Sequence, residues 1–415
     1  MSTRYRKMAA ACAGVVTAGL LATGAVLPSP DPPPPPDPLL SPSPGPPPGP
    51  ASSPVPAAGV SEKPGPPKAP EVTEPAFGAY LDYGPEGVQR MTGMRKWLGG
   101  ADIRVGHTYL PGDVWSNIEG APGFLADWAE WRKARADRLF VLNVPMLEDN
   151  EAHLSDAAVR RRLAGGARGA YDSHFEALGR RLVGLGAADT VIVLGWEMNG
   201  TTYTHRCGPA PAAWKTYWNR IVTTMRAVPG QRFRFDFAPN RGRDAIPWTE
   251  CYPGDDVVDI IGMDSYDQPP GDSFDEQVNE PYGLRQQVDF AAAHGKVISY
   301  PEWGLFRNGD NPGYMRGMLQ WMDQHKPLYN TLTDYCPHGV WQCEQNPESS
   351  LVFRSMMYGR GTGIEPGTPP ANPPAPQPPS PGHPRGCDLL DLGSWINSWL
   401  GGKVCVRTDW SGRLR

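Results

Sequence analysis

Short apolar runs alternate with amphipathic stretches along residues 77–358 of this 415-residue chain. The runs are rich in β-branched and aromatic residues, as at 190–194, which is typical of strands buried on both faces. Between them, apolar residues recur at helical spacing, as at Phe175, Leu178 and Leu182. This pattern predicts strands that alternate with helices and pair in parallel.

The strand–helix pattern repeats eight times. The first seven predicted strands lie at 77–81, 103–107, 138–144, 190–194, 232–237, 257–263 and 297–300. The eighth strand has two alternative positions, 331–335 and 339–342. Helices are predicted around Trp214 to Met225 and at 121–134, 170–185, 283–294, 311–325 and 348–358.

Eight such units within 282 residues (358 − 77 + 1) predict a (β/α)8 TIM barrel, an α/β fold that typically takes about 250 residues. A doubly wound open sheet is the alternative. That fold usually has a glycine-rich phosphate-binding turn after its first strand, whereas residues 82–85 read Asp-Tyr-Gly-Pro. We therefore predict the barrel, with proline-rich linkers on both sides.

Composition divides the chain into five segments. Residues 1–27 begin with basic side chains and continue as a run of small apolar residues, which predicts a secretory signal peptide, with an uncleaved membrane anchor as the alternative. Residues 28–70 and 363–386 are proline-rich and predict extended linkers. They flank the barrel domain at 71–362, and a short tail with two cysteines follows at 387–415. We expect a secreted monomer, with a cell-surface tether through the N-terminal segment as a further option.

Six of the seven cysteines follow the N-terminal apolar segment, and none of their spacings has the paired C-x-x-C form of a zinc site. An even number of cysteines in an exported chain predicts disulfides. Proximity in sequence favours the pairs Cys336–Cys343 and Cys387–Cys405, which leaves Cys207 with Cys251.

Charge and aromatic content separate two classes of partner. The formal charge is −5, from 39 basic and 44 acidic side chains, and no long basic run occurs beyond the N-terminus. Nucleic-acid binding needs clustered Lys and Arg, so we expect no nucleic-acid partner. Fourteen Trp and fifteen Tyr supply flat faces that suit sugar rings, which favours a polysaccharide.

Two predicted strands end in a glutamate beside a tryptophan. Strand four continues into Gly-Trp-Glu-Met-Asn-Gly at 195–200, and strand seven into Pro-Glu-Trp-Gly at 301–304. Active sites of these barrels lie at the carboxyl ends of the strands. Glycosidases place two carboxyls across the scissile bond, about 5–5.5 Å apart in retaining enzymes and about 6.5–9.5 Å apart in inverting ones. The sequence therefore predicts a glycosidase with Glu197 and Glu302 as its catalytic pair.

These two motifs resemble those of glycoside hydrolase family 26, a family of (β/α)8 retaining glycosidases. The resemblance covers roughly residues 77–358 and neither tail. It implies that Glu197 is the general acid/base and Glu302 the nucleophile. Glu197 must then keep its proton at working pH, so we expect it to have the higher pKa of the two. No metal or organic cofactor is called for, because an acid/base and a nucleophile suffice.

The resemblance also implies substrate-binding residues. In the family, a tyrosine after strand six contacts the nucleophile, a tryptophan after strand eight lies under the sugar, and a histidine occurs near the end of strand two. Tyr266, Trp341 and His107 match these positions. The aromatic and amide side chains at the predicted strand ends give four further candidates: Trp196, Trp303, Asn199 and Asn240.

Three positions differ from the pattern of the mannan-cleaving members. Those members have Arg four residues before the acid/base, His immediately before it and Arg after the strand-eight Trp, where this chain has Val193, Trp196 and Gln342. We expect an endo-acting enzyme on β-1,4-mannan. The alternatives are β-1,3-xylan or mixed-linkage β-glucan as substrate, and a non-catalytic carbohydrate-binding wall protein.

Overall fold

The computed structural model describes residues 71–120, 123 and 125–362, together with the backbone of 388–390 and 404–406. The predicted signal peptide at 1–27 and the predicted linkers at 28–70 and 363–386 lie outside the described residues. Within the tail, β11 (Asp388–Leu390) and β12 (Val404–Val406) form an antiparallel pair. Among the described residues, no helix has both the length and the apolar composition of a membrane span.

Ten strand segments form one parallel sheet: β1 (Ala76–Tyr80), β2 (Ile103–Tyr109), β3 (Leu139–Val144), β4 (Val191–Leu194), β5 (Arg234–Phe237), β6 (Ile260–Ile261), β7 (Ser265–Asp267), β8 (Val297–Ile298), β9 (Tyr300–Leu305) and β10 (Tyr329–Thr333). β6 and β7 are two parts of one barrel strand, and β8 and β9 are two parts of the next. The ten segments therefore make eight strands. β6 pairs with β8, β7 with β9, β9 with β10 and β10 with β1, so the sheet closes. The predicted (β/α)8 barrel is confirmed.

Helices follow the strands around the outside: α1 (Gly84–Trp97), α2 (Trp115–Ile118), α3 (Leu125–Lys133), α4 (Asp156–Ala167), α5 (Asp172–Gly184), α6 (Pro211–Arg226), α7 (Phe274–Asn279), α8 (Leu284–Ala293), α9 (Pro312–His325) and α10 (Pro347–Met357). Four of them, α1, α6, α9 and α10, have proline in the first turn, where its missing N–H costs nothing. The eighth strand takes the first of its two predicted positions.

Strand alternation separates two cores. In β4, Val191 and Val193 pack inside the barrel, while Ile192 and Leu194 face the helices. The same interior cluster extends to Trp196, beyond the end of the strand. The apolar inside of the barrel therefore ends at the residue before Glu197, at the carboxyl end of the sheet.

The barrel domain has two disulfides, of which Cys207–Cys251 is buried and Cys336–Cys343 has one exposed end, at Cys336. Cys207 pairs with Cys251 across 44 residues, and Cys336 pairs with Cys343 across seven. Both predicted pairs are confirmed. The third predicted pair, Cys387–Cys405, lies outside the described side chains.

Candidate active site

Glu302 reaches the inside of the barrel because of its place in β9. Successive side chains of a strand point to opposite faces. Glu302 faces inward, and its neighbour Trp303 faces the helices, where it packs against Phe353 of α10 at a ring distance of 6.2 Å. Trp303 is fully buried, and its Nε1 donates to Oδ1 of Asn330 at 3.3 Å. The structure therefore places this predicted sugar contact behind the barrel wall.

Both carboxyl oxygens of Glu302 accept hydrogen bonds. The hydroxyl of Tyr266 donates to Oε2 at 2.8 Å, and Nδ2 of Asn143 donates to Oε1 at 2.8 Å. Tyr266 lies 2.8 Å from Oγ1 of Thr333 as well, so its phenol is held from two sides. Asn143 was not predicted from the sequence. Its signal is a single amide within the apolar strand β3.

Glu197 follows β4 in a sharp turn. Its φ is +50°, a conformation that few residues other than glycine adopt, and its backbone N–H donates to the carbonyl of Ala238 at 2.8 Å. Backbone strain of this kind is concentrated at functional sites. No described side chain or backbone group hydrogen-bonds the Glu197 carboxyl, and the residue is largely buried but keeps some contact with solvent. The carboxyl is therefore free to exchange a proton with a ligand.

Asn199 holds this turn in place. Its Oδ1 accepts from the backbone N–H of Asn240 at 2.8 Å, and its Nδ2 donates to the Asn240 carbonyl at 3.0 Å. The side chain is fully buried. Asn240 itself is half-buried and donates through Nδ2 to Asp244 at 3.1 Å. The structure thus uses Asn199 to join the loops after β4 and β5, and leaves Asn240 at the partly open edge.

The two glutamates have different electrostatic surroundings. Burial, then the neighbouring Glu302 and Asp244, raises the pKa of Glu197 to about 8. Burial also raises the pKa of Glu302, but hydrogen bonds from Tyr266, Tyr109 and Asn143 oppose that rise. Donors to a carboxylate stabilise its ionised form. The arrangement suits a protonated Glu197 beside an ionised Glu302.

A third carboxyl lies beneath them. Asp264, between β6 and β7, is fully buried, and neither of its oxygens has a hydrogen-bond partner among the described residues. Burial and the charges of Glu302 and Glu197 raise its pKa well above the usual value. The negative charge of an ionised Glu302 therefore favours the protonated form of Asp264.

Glu302 opens into a cleft of about 800 Å³ at the carboxyl end of the barrel. Its aromatic wall consists of Tyr80, Tyr83, Tyr109, Trp196, Tyr203 and Tyr335. Polar and charged side chains on the rim are Asp82, Glu86, Arg90, Asp113, Asp149, Asn150 and Glu151. The loops after β1, β2 and β3 supply most of this lining, so the cleft extends from Glu302 over the β1–β3 side of the barrel.

The aromatic wall is continuous. Ring centroids are 4.8 Å apart for Tyr80 and Tyr109, 5.7 Å for Tyr109 and Trp196, and 5.0 Å for Trp196 and Tyr203. Trp196 was the only predicted member. Tyr80 and Tyr109 are the last residues of β1 and β2. Their position at strand ends is a signal that could have identified them.

The remaining two predicted contacts do not line the cleft. His107 is fully buried, with Nε2 2.9 Å from Oδ1 of Asn143 and Nδ1 3.1 Å from Oγ1 of Thr331. Trp341 is 6% exposed and packs on α1, where a Cβ at Gly93 would lie 2.9 Å from its ring. After β10, the cleft is instead lined by Tyr335, which is 47% exposed. In the described part of the chain, no group of three or more His, Cys, Asp or Glu side chains could hold a metal ion.

Residues 194–303 match the model of glycosyl hydrolase family 26. The matched segment runs from the end of β4 to Trp303, so it contains both glutamates. The predicted resemblance to this family is confirmed, and with it the prediction of a glycoside hydrolase. No curated protein matches the sequence.

Solved structures with the same fold include Bacillus subtilis mannanase BCman, with 16% identity and a TM-score of 0.52, over 69% of this chain and 86% of that one. The YdhT protein from Bacillus subtilis has 16% identity and a TM-score of 0.52, over 68% and 85%. The GH26 β-mannanase BoMan26A from Bacteroides ovatus has 15% identity and a TM-score of 0.52, over 70% and 90%. At these identities the likeness supports the barrel fold alone.

Proposed function

We propose that this protein is a retaining endo-β-glycosidase that hydrolyses β-1,4-mannan, with Glu302 as nucleophile and Glu197 as general acid/base. The observation that carries the proposal is the contrast between the two carboxyls. Glu302 accepts hydrogen bonds on both oxygens, whereas Glu197 accepts none from a described residue and has a pKa of about 8. A nucleophile needs a stabilised negative charge, and a general acid needs a retained proton.

In the first step, an oxygen of Glu302 attacks the anomeric carbon while Glu197 gives its proton to the departing oxygen. This step forms a covalent glycosyl-enzyme. In the second step, Glu197, now ionised, takes a proton from water, and the hydroxide displaces Glu302 from the sugar. Activity is therefore lost as the pH rises through about 8, where free Glu197 loses its proton.

The shape of the site supports endo cleavage. The cleft is open along the loops after β1, β2 and β3, and its aromatic wall continues beyond Glu302 through Tyr109 to Tyr80 and Tyr83. Aromatic faces bind the apolar faces of sugar rings, so a wall of several rings suits several linked sugars. Mannan is supported by the family match and by structural neighbours that are described as mannanases.

A second candidate is the same chemistry on β-1,3-xylan or mixed-linkage β-glucan. It is favoured by Trp196, which takes the place of the family's histidine and forms part of the cleft wall. Gln342 also differs from the family, and its side chain is bound to protein: Nε2 donates to the Leu81 carbonyl, and Oε1 accepts from Arg90. Gln342 thereby contacts two residues that line the cleft, Leu81 and Arg90.

The proposal includes export from the cell. The two disulfides support it, because disulfides persist mainly in oxidising compartments. The predicted signal peptide at 1–27 is the route. Mass spectrometry of the N-terminus of protein recovered from culture medium tests both points, and intact residues 1–27 on recovered protein would contradict cleavage.

The experiment that tests the enzymatic proposal is reducing-sugar release from β-mannan, galactomannan, β-1,3-xylan, lichenan and cellulose by the full chain. Glu302→Ala is the inactive variant, and Glu130→Gln, at an exposed site on α3, is the matched control. We expect release from mannan that the control keeps and Glu302→Ala loses. Release from xylan or lichenan alone supports the second candidate. Binding without release from any polysaccharide contradicts an enzyme and supports the wall-protein alternative.

A further inference from the structure

A chain of hydrogen bonds crosses the barrel behind the proposed nucleophile. It starts at Thr331 on β10, passes through the His107 ring on β2 and the Asn143 amide on β3, and ends at Oε1 of Glu302 on β9. The three distances are 3.1, 2.9 and 2.8 Å. Thr331 also contacts the carbonyl of Pro301, the residue before Glu302. All of these side chains are buried.

The charge of Glu302 fixes the direction of the two hydrogen bonds nearest to it, Asn143 to Glu302 and His107 to Asn143. An ionised carboxylate only accepts hydrogen bonds, so Asn143 must present Nδ2 to it. Oδ1 of Asn143 then faces His107, whose Nε2 must carry a hydrogen to donate. Burial lowers the pKa of His107 to about 4, so the ring is neutral near pH 7 and its Nδ1 carries no hydrogen. Nδ1 and the Pro301 carbonyl then share the single hydroxyl hydrogen of Thr331.

We infer that His107 is a positioning residue for the nucleophile, acting through Asn143. This inference rests on the proposed role of Glu302. The donated hydrogen at Nε2 locks the Asn143 amide in the one orientation that gives Glu302 a donor. Without it, the amide can rotate and turn Oδ1 toward the carboxylate, which replaces a hydrogen bond with a repulsion. Residues that orient a reacting carboxylate commonly matter about 10- to 100-fold.

Several other groups face Glu302, and one of them, Tyr109, also contacts His107. Glu302 faces Glu197 after β4, Asp264 between β6 and β7, Tyr266 on β7 and Tyr109 on β2. His107 itself packs against the rings of Tyr80 and Tyr109, at 5.9 and 4.8 Å. Since the ring is neutral near pH 7, replacing it removes no charge. His107→Phe keeps a ring against Tyr109, so a change in the titration of Glu302 in that variant reports the lost hydrogen bond to Asn143.

Two substitutions separate positioning from simple packing. His107→Gln keeps an N–H that can donate to Oδ1 of Asn143, and His107→Phe keeps the ring volume without a donor. We expect His107→Phe to lower kcat by about 10-fold or more with little change in KM, and to move the acidic limb of the kcat/KM profile up by about half a pH unit or more. His107→Gln should keep the wild-type limb.

Asn143→Ala provides the second variant, in case the Phe variant does not fold. It should show the same shift of the acidic limb, and adding His107→Phe to it should shift the limb no further, because the effect passes through Asn143. An acidic limb that stays at the wild-type pH in either His107→Phe or Asn143→Ala overturns the inference. So does a His107→Gln variant that behaves like His107→Phe.

Carbon-13 NMR titration of labelled glutamate carboxyls measures the same quantity without a substrate. The Glu302 signal is assigned by its loss in Glu302→Gln. We expect its pKa to rise in His107→Phe and Asn143→Ala and to be unchanged in His107→Gln. If no polysaccharide of the panel is cleaved, the proposed function fails, but this titration still decides the positioning role. An unchanged Glu302 pKa in all three variants overturns it.

Discussion

The phenol of Tyr266 donates a hydrogen bond to Oε2 of Glu302 over 2.8 Å. A hydrogen bond to the charged form lowers a carboxyl's pKa, so Tyr266→Phe should raise the pKa of Glu302. Glu302 must be ionised to act, and the acidic limb of the kcat/KM profile should therefore move to higher pH. We expect kcat to fall about 10- to 100-fold. Thr333→Val, which leaves the Tyr266–Glu302 bond in place, is the control. An acidic limb that stays at the wild-type pH in Tyr266→Phe would show that the phenol does not lower the pKa of Glu302.

The raised pKa of Glu197 has a consequence for stability. A carboxyl that titrates at about 8 in the folded protein and near 4.5 in the unfolded chain leaves the folded state with more bound protons between those values. Stability then falls as the pH rises through this range. Glu197→Gln removes the group, so its melting temperature should exceed the wild-type value at pH 8 by about 2 °C or more and match it at pH 4. Calorimetry at the two pH values measures this, and an equal difference at both would contradict the assigned pKa.

The two aromatic residues after β10 should differ in function. Tyr335 is 47% exposed and lines the cleft, whereas Trp341 packs on α1. We predict that Tyr335→Ala raises KM for the cleaved polysaccharide about 10-fold and leaves the melting temperature nearly unchanged. Trp341→Phe should lower the melting temperature by several degrees, about the effect of a core cavity, with KM nearly unchanged. Kinetics and thermal unfolding of both variants show which of the two residues binds the sugar. A KM effect confined to Trp341→Phe would support Trp341, the residue that the family resemblance implied.

The two disulfides offer a matched pair of tests. Cys336–Cys343 closes a short loop that begins directly after Tyr335, and Cys207–Cys251 spans 44 residues. In the chain-entropy model, the longer loop stabilises the fold more. Replacing Cys336 and Cys343 with Ser should raise KM about a few-fold, because the loop then holds the neighbouring Tyr335 less firmly in the cleft. Replacing Cys207 and Cys251 should mainly lower the melting temperature. A KM that rises only when Cys207 and Cys251 are replaced would count against a link between the short loop and the cleft.

Strand order and the two glutamates were predictable because they depend on local pattern. A buried strand is an uninterrupted apolar run, and a barrel places the residues after such runs at one end of the sheet. The prediction for Trp303 was wrong, although the alternation of side chains along a strand could have corrected it: Trp303 cannot face the cleft if Glu302 does. We expected both to contact sugar, but alternation along β9 sends the tryptophan behind the wall.

The rest of the site depends on contacts between distant segments. Trp341 lies after β10 in sequence, but the loop folds back because Asp334 accepts hydrogen bonds from the backbone N–H groups of Val340, Trp341 and Gln342. This fold brings Tyr335 into the cleft instead of Trp341. Asn143 could be recognised as a site residue only from the structure, in which its side chain reaches Glu302 of β9 across the barrel interior. No spacing along the chain encodes that distance.

Trapping the covalent intermediate on Glu302 tests the retaining mechanism at the reacting atom itself. A 2-deoxy-2-fluoro-glycosyl fluoride of the sugar that the panel identifies slows the second step more than the first, so the adduct accumulates. Mass spectrometry of peptides from the treated protein then shows which residue carries the sugar. We expect an adduct on Glu302, one per chain, that is absent in Glu302→Ala. An adduct on Glu197, or product of inverted anomeric configuration with no adduct at all, would contradict the assigned mechanism.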